Sequence, residues 1–276
     1  MGRSVTLRAH AKLNLALAVI GKRDDGYHEL RSVFARLDLA DDVRVAPHSK
    51  LEVRNTVDVG GEDIAARAVR ALADATGHEP HAFVRIRKRI PMAAGLGGGS
   101  SDAAAVLRAV AGMWEVDADV AAHVGSDVPF FARDVPLALV EGRGEIVHPL
   151  PARETHVVVV RPTLHLRTAD VFNEFRVADR HAAPHVDALT EALRQGRATT
   201  DFIRVHAEND LLGAAERLCP AIASWREAAA ARGIALAMSG SGPTLFAIAD
   251  DRADALRIAR ILRRAGLRAR PHLASV

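Results

Sequence analysis

Cysteine is almost absent from this sequence of 276 residues, which contains a single thiol at Cys219. A chain with one cysteine can form neither an intrachain disulfide nor a cysteine-based metal site. Reduced thiols are typical of the cytosol, so we expect a cytoplasmic protein. Aromatic residues make up 4% of the chain and include one tyrosine, so the core must consist mainly of Ala, Val, Leu and Ile.

Long apolar runs and familiar metal or hydrolase motifs are also missing. No apolar run approaches the ~20 residues that a membrane-spanning helix needs, and the longest candidate, residues 157–160, is typical of a buried strand. The motifs HExxH and GxSxG do not occur and the 13 histidines are scattered, so we expect no metal site built by the protein itself. The net charge of +3 and the dispersed arginines argue against nucleic acid and suit small anionic ligands.

The most informative segment is a glycine-rich stretch at residues 91–105, PMAAGLGGGSSDAAA. It follows a strand pattern at residues 83–87 and precedes an Ala-rich helix pattern at residues 102–114. Backbone amides of a glycine turn and the positive end of a helix dipole together bind anions. The alternative is a simple turn with Ser100 or Ser101 as helix cap. Three consecutive glycines followed by two serines favour a phosphate loop, although neither GxxxxGK[ST] nor GxGxxG is complete.

Two charged residues outside this loop are candidates for chemistry. Lys12 and Asn14 interrupt an apolar strand, either on an exposed, solvated face or beside a carboxylate or phosphate. Asp127 lies in the segment GSDVP, where Pro129 keeps it out of a helix interior. Its alternatives are an Asx-type turn residue and a catalytic carboxylate.

Two further segments are candidate ligand contacts. Tyr27 and His28 follow an Asp-Gly turn, and a flat ring beside a neutral donor and acceptor suits a planar heterocycle, whereas the alternative is a lid over the hairpin. Residues 239–242, SGSG, form a second glycine turn that binds an anionic group or connects two strands. The residues alone do not decide between these alternatives.

The order of the patterns predicts two α+β domains, at residues 1–150 and 151–276. In the first half we expect strands at residues 5–8, 13–20, 30–37, 42–46 and 83–87, helices at 61–76, 102–114 and 117–124, and a hairpin at 137–147. In the second half we expect strands at residues 155–160, 234–238, 244–249 and 268–274, and helices near 169–176, 186–196, 209–218, 221–232 and 251–265.

In this order the segments resemble the GHMP kinase superfamily, small-molecule kinases with two α+β domains. Residues 91–105 resemble its ATP-phosphate motif, and MSGSGPTLFAI at residues 238–248 resembles its C-terminal glycine motif. The block AKLNLALAVIGKRDDGYHELRSVF at residues 11–34 is similar to the 4-diphosphocytidyl-2-C-methyl-D-erythritol kinase family of the non-mevalonate isoprenoid pathway. GSDVPFF at residues 125–131 and NDLL at 209–212 fit the same family.

The resemblance implies an α+β, two-domain GHMP kinase-like fold with mixed or antiparallel sheets and packed helices. It implies that ATP, bound with Mg²⁺, donates a phosphoryl group to the C2 hydroxyl of 4-diphosphocytidyl-2-C-methyl-D-erythritol. The expected partners are these two small molecules, with no nucleic acid and no membrane, and the protein is expected to be a monomer or homodimer.

The resemblance also implies roles for single residues. Lys12 and Asp127 fall on the two active-site positions: Asp127 would accept or polarise the hydroxyl proton, and Lys12 would keep Asp127 ionised and offset the charge of the transferring group. The ATP phosphates would be wrapped by Pro91, Met92, Ala93, Ala94, Gly95, Leu96, Gly97, Gly98, Gly99, Ser100 and Ser101.

The implied substrate contacts are Asn14, Tyr27, His28 and Phe172. Tyr27 would stack on the cytosine, His28 would hydrogen-bond its edge, and Phe172 would close the other face. One position departs from the family pattern, because Asp63 aligns with an asparagine that contacts adenine, and an ionised carboxylate does not donate hydrogen bonds.

Two rival interpretations remain. One is another GHMP kinase, acting on mevalonate or homoserine, for which a cytidine pocket would have no purpose. The other is a non-catalytic nucleotide-binding regulator with the same fold, which would not need Lys12 and Asp127.

Overall fold

A computed structural model describes residues 4–161 and 164–276. These residues form an α+β structure with ten strands, ten α-helices and one 3₁₀ helix at Val177–Asp179. The strands are β1 (Val5–Lys22), β2 (His28–Ala46), β3 (Leu51–Asn55), β4 (Ala82–Arg87), β5 (Leu137–Gly142), β6 (Ile146–Pro149), β7 (Glu154–Val160), β8 (Ala237–Met238), β9 (Leu245–Ala249) and β10 (Ala269–Ser275). The helices are α1 (Ile64–Thr76), α2 (Gly98–Trp114), α3 (Ala121–Val124), α4 (Val128–Ala132), α5 (Thr168–Glu174), α6 (Ala183–Arg194), α7 (Thr200–His206), α8 (Leu212–Leu218), α9 (Ala221–Ala230) and α10 (Arg252–Arg264).

A long antiparallel ladder of β1 and β2 organises the first half of the chain. It runs from the pair Val5–Val45 to the pair Lys22–His28, and β4 and β5 pair with β2 on separate stretches. Strand β3 adds to β4 in parallel, and β6 pairs with β5. The prediction of four shorter strands was wrong, because β-bulges within β1 absorb the irregular pattern without ending the strand.

The second half forms an antiparallel sheet in the order β10, β7, β9, β8. This sheet meets the first one through the pair Ala274–Leu37 of β10 and β2. Helix α6 packs on β1 and β2 as well, so both halves share packing. The domain boundary at residue 150 falls between β6 and β7 and stays a prediction.

Aliphatic side chains fill the interior, as the low aromatic content predicts. The ladder strands, α1 and α2 enclose one apolar cluster that contains the run Ala103, Ala104 and Ala105, whose small side chains let α2 pack closely. Helix α1 begins at the N-cap Asp63, which accepts a hydrogen bond from the Ala65 amide, and ends at Gly77 in the left-handed conformation. Within the described ranges, no helix has the length and apolar character to cross a membrane.

Several predicted elements differ in length. The helix predicted at residues 117–124 is limited to α3, because the Asp119 carboxylate accepts from the Ala121 amide and sets a local turn before it. The strand predicted at residues 234–238 contains two residues in β8. Strand β3 and helices α4 and α7 were not predicted, because each is only five to seven residues long and so contains too few residues for a periodic pattern to stand out.

Candidate active site

A pocket with a volume of about 480 Å³ lies where the two halves meet. Lys12 and Asn14 of β1 line it, together with the glycine loop at residues 91–100. Asp127 faces it from the segment before α4, and Phe172, Gly240 and Ser241 close it from the second half. The structure therefore brings most of the predicted site residues to one cavity.

The glycine loop leads into the N-terminus of α2, as predicted, but the helix begins earlier than expected. Gly97 is its N-cap, with φ of 69°, and no side chain caps the helix. The alternative of Ser100 or Ser101 as cap was therefore wrong, since both lie within the first turns of α2. Ser100 lines the pocket, whereas Ser101 is buried and borders a small separate cavity beside Arg108.

The loop packs directly against the second glycine turn. Gly95 has φ of 73°, and a Cβ placed there would lie 2.3 Å from the Ser239 carbonyl oxygen. The Ser239 hydroxyl donates to the Gly95 carbonyl at 3.0 Å and accepts from the Asn14 amide at 3.2 Å. The Lys12 amide in turn donates to the Leu96 carbonyl at 3.0 Å. These contacts hold β1, the loop and the turn together, which is a role of residues 239–242 that the sequence left undecided.

Lys12 is a buried cation, so the alternative of a solvated face was wrong. The residue is 4% exposed, and its Nζ donates to the Asn14 carboxamide oxygen. The same nitrogen lies 4.6 Å from the centre of the Phe34 ring and 3.5 Å from the Asp127 carboxylate. Register shifts on both sides of Lys12 and Asn14 turn these side chains toward the pocket. The Asn14 side chain is fixed further because its carboxamide NH₂ group donates to the Ser32 hydroxyl at 2.9 Å.

Asp127 immediately precedes α4 and keeps its carboxylate available. It occupies the N-cap position, but its side chain accepts no hydrogen bond from the described residues of α4. The Asx-turn alternative is thus not supported, and Asp127 lies outside the helix interior as expected, although Val128 is itself helical. At 28% exposure of its side chain, the carboxylate is open to a ligand while remaining paired with Lys12.

The three ring-bearing residues expected to contact the substrate do not lie together. The rings of His28 and Phe172 stack with centroids 4.9 Å apart, and Phe175 meets His28 edge-on. Burial, helped by the charges of Lys22 and Arg180, lowers the pKa of His28, so the neutral imidazole is favoured. Tyr27 is 53% exposed at the outer rim, where the Arg143 guanidinium lies 4.9 Å from its ring centre. The structure brings His28 to Phe172 and leaves Tyr27 outside.

Asp63 lines the pocket at the start of α1, and both of its carboxylate oxygens accept hydrogen bonds from the protein. One carboxylate oxygen accepts from the Ala65 amide at 2.9 Å, and the other accepts from the Asn55 side-chain amide at 3.1 Å. Both oxygens therefore already have donors, and Asn55 places a carboxamide beside the position that departs from the family pattern.

The segment NDLL has a positioning role that the sequence did not predict. The side-chain NH₂ group of Asn209 donates to the backbone carbonyl oxygens of Met238 and Gly240, at 2.8 and 2.9 Å, and so shapes the second glycine turn. Asp210 accepts from the amides of Val19 and Ala182, which ties β1 to the start of α6. A buried Asn-Asp pair before an apolar run is the signal that would have indicated this role.

A second group that the sequence did not predict lies beneath the glycine loop. Lys88 follows β4 and contacts both Asp41 of β2 and Asp102 of α2. Lys88 and Asp102 also line the pocket. The three residues are separated widely in the sequence, so no local pattern indicates that they meet.

Comparison with known proteins agrees with this geometry. The family model described as GHMP kinases N terminal domain matches residues 63–134, and the model described as GHMP kinases C terminal matches residues 184–267. The curated 4-diphosphocytidyl-2-C-methyl-D-erythritol kinase of Symbiobacterium thermophilum is 39% identical over 89% of this chain and 91% of the relative. The protein of the same name from Salinispora tropica is 40% identical over 92% of this chain and 86% of its own.

Solved structures lead to the same family. A crystal structure of a 4-(cytidine 5'-diphospho)-2C-methyl-D-erythritol kinase is 36% identical and superimposes with a TM-score of 0.80, covering 99% of this chain and 100% of the other. Homoserine kinase from Cytophaga hutchinsonii shares the fold, with a TM-score of 0.74 at 18% identity over 100% of this chain and 96% of the other. The chain therefore belongs to the GHMP kinase superfamily and, within it, to the 4-diphosphocytidyl-2-C-methyl-D-erythritol kinase family.

Proposed function

We propose that this protein transfers the γ-phosphoryl group of ATP to the C2 hydroxyl of 4-diphosphocytidyl-2-C-methyl-D-erythritol. The observation that carries the proposal is the Lys12–Asp127 pair, 3.5 Å apart, in a pocket whose wall is the glycine loop. Phosphoryl transfer depends mainly on positioning and on charge stabilisation, and this pocket offers both. The single cysteine of the chain suits a reducing compartment, so the proposal places the protein in the cytoplasm.

The ATP phosphates would lie against residues 95–100, at the N-terminus of α2. This helix end provides amide groups without a helical partner and a positive dipole, both of which favour phosphate. Among the described residues, no group of three or more His, Cys, Asp or Glu is arranged for a metal ion. Mg²⁺ would be held by the phosphates of ATP, with Asp127 as one pocket-lining carboxylate able to contribute, and when bound it would neutralise phosphate charge.

Asp127 would take or orient the proton of the attacking hydroxyl. Its carboxylate is partly exposed, so an alcohol can approach it, and the Lys12 ammonium group lies 3.5 Å from it. Lys12 also adds positive charge near the transferring group. Burying a lysine in this way contributes little to stability by itself, and a non-catalytic regulator would have no use for the pair.

Cytosine recognition would use the aromatic residues at the pocket rim. Phe172 lines the pocket, and its ring stacks on the ring of His28. Tyr27 is exposed, so its ring can swing from Arg143 to cover the base, and the neutral His28 can exchange a hydrogen bond with the base edge. Asn14, fixed by Ser32, would contact the polyol. A mevalonate or homoserine kinase would have no use for this aromatic group.

The proposal is tested by ³¹P NMR of the purified protein with MgATP and three alcohols: the cytidine diphosphate compound, mevalonate and homoserine. We expect ADP and a new phosphate monoester with the first compound alone. An ester formed from mevalonate or homoserine would refute the substrate assignment. ATP binding without any ester would instead favour a non-catalytic regulator.

A further inference from the structure

The cluster of Lys88, Asp41 and Asp102 contains two carboxyl groups and one ammonium group beneath the glycine loop. The side chains are nearly inaccessible to solvent, at 7% for Lys88, 0% for Asp41 and 3% for Asp102. Lys88 Nζ lies 2.6 Å from the Asp102 carboxylate and contacts the Asp41 carboxylate as well. If both acids were ionised, the cluster would carry an uncompensated negative charge in a buried place, which is strongly unfavourable.

Hydrogen bonding shows which acid carries that negative charge. Asp41 accepts from three donors, which are Lys88 Nζ and the backbone amides of Arg89 and Ile90. Asp102 accepts from Lys88 through Oδ2, whereas its buried Oδ1 has no hydrogen-bond partner among residues 4–161 and 164–276. A carboxylate with three donors is stabilised in its charged form, so the proton belongs on Asp102.

The cluster is adjacent to the proposed phosphate site. Asp102 is the fifth residue of α2, the helix whose first turn faces the pocket, and Lys88 Nζ lies 3.3 Å from the position of a Cβ at Gly98. The charge of the cluster therefore acts on whatever lies against the loop. A bound triphosphate is itself strongly anionic, so a second negative charge below the loop would oppose it.

We propose that Asp102 is a positioning residue that keeps a proton in the folded protein, so that the cluster under the glycine loop stays neutral and accepts the phosphates of a nucleotide. The inference rests on the proposed function, because it takes the loop as the nucleotide site. It agrees with the burial of Asp102, which raises the pKa of its carboxyl group to about 8 against the opposing effect of Lys88. Loss of this proton above that pH would weaken nucleotide binding without affecting the alcohol site directly.

The charged groups around Asp102 come from several elements. Asp41 faces it from β2 and Lys88 faces it from the segment after β4. Burial acts to lower the pKa of Lys88, but its contacts with Asp102 and Asp41, which include hydrogen bonds to both, outweigh burial and raise that pKa, so Lys88 remains a cation between pH 7 and pH 9.5. The remaining charged residues that line the pocket are Lys12, Glu62, Asp63, Asp127 and Arg143.

The test is calorimetric titration of the protein with a non-hydrolysable ATP analogue and Mg²⁺ between pH 7 and pH 9.5. We expect the dissociation constant of the wild-type protein to rise about five- to tenfold over this range. Asp102→Asn retains the shape and removes the titration, so its dissociation constant should stay level. A level wild-type curve, or an Asp102→Asn curve that rises in parallel, would overturn the proposal.

A second measurement needs no variant. In wild-type protein with ¹³C-labelled aspartate, one carboxyl carbon should titrate near pH 8, and ionisation of every aspartate below pH 6 would refute the inference. The kinase function and the protonation of Asp102 can be refuted independently of each other. Absence of analogue binding at every pH counts against the kinase function, and the carboxyl titration then still decides whether Asp102 keeps its proton.

Discussion

Replacing Gly95 with alanine tests the contact on which the whole pocket depends. Gly95 adopts φ of 73°, and its Cα faces the second glycine turn so closely that a Cβ would lie 2.3 Å from the Ser239 carbonyl oxygen and 3.1 Å from the Gly242 oxygen. Both obstacles are backbone atoms, which cannot rotate away as a flexible side chain does. Gly95→Ala must therefore push the loop away from the turn.

Two free-energy costs determine how much Gly95→Ala should destabilise the folded protein. A left-handed conformation costs a residue with a Cβ about 1–2 kcal/mol. Forcing an additional carbon into a closely packed place costs about 1–3 kcal/mol more. The sum of about 2–5 kcal/mol is a large part of the usual folding stability of about 5–15 kcal/mol. For a chain of this size it corresponds to a fall in Tm of roughly 5–15 °C.

Calorimetric unfolding and the KM for ATP measure this prediction. We expect Gly95→Ala to lower Tm by that amount and to raise the KM for ATP, since the displaced loop no longer presents its amides correctly. Gly112→Ala is the matched control, because Gly112 lies in α2 with no atom within 4 Å of an added Cβ and helix propensity favours alanine there. A Gly95→Ala protein with the wild-type Tm and KM would show that the loop and the turn are not in contact.

Four further predictions follow from the same structure. Asp127→Asn should reduce kcat at least ~10²-fold in steady-state assays with little change in KM for the alcohol, as for a lost general base, and wild-type turnover would remove Asp127 from the mechanism. Tyr27→Ala should raise the KM for the cytidine substrate and spare ATP binding, so an unchanged KM would count against stacking. Asn209→Ala leaves two carbonyl oxygens of the second glycine turn without their donor, so urea unfolding should show a loss of about 1–3 kcal/mol, and an unaltered midpoint would exclude the positioning role. Because the pKa of Asp102 is raised from 3.8 to about 8, the folded chain holds a proton that the unfolded chain releases. The free energy of unfolding should therefore fall by about 2 kcal/mol from pH 6 to pH 8, a slope that Asp102→Asn should remove and that its persistence in this variant would contradict.

The sequence predicted those parts of the site that depend on local chemistry. The phosphate loop is visible because glycines and a following helix lie together in the chain, and the α+β class follows from the order of strand and helix patterns. Lys12 and Asp127 were candidates from the sequence itself, the family resemblance gave them active-site roles, and the structure places them 3.5 Å apart. Their catalytic roles remain predictions.

The parts that were missed depend on contacts between distant segments. The burial of Lys12 follows from bulges in β1 that depend on the pairing with β2, and a period-two pattern does not contain that information. Gly95 looks like a residue that lets a ligand approach, yet the structure shows that Ser239, 144 positions later, already fills the space beside it. The sequence likewise does not show that Phe172 stacks on His28 while the Tyr27 ring lies beside Arg143.

The hydroxyl of Ser239 has a consequence for the integrity of the enzyme. It links an amide of the first strand to a carbonyl of the glycine loop, although it comes from the opposite end of the chain. Neither the first half nor the second half of the chain, expressed alone, would contain a complete catalytic centre. The catalytic centre therefore depends on the tertiary structure. If the glycine loop separated from the turn at residues 239–242, activity would be lost before the secondary structure unfolds.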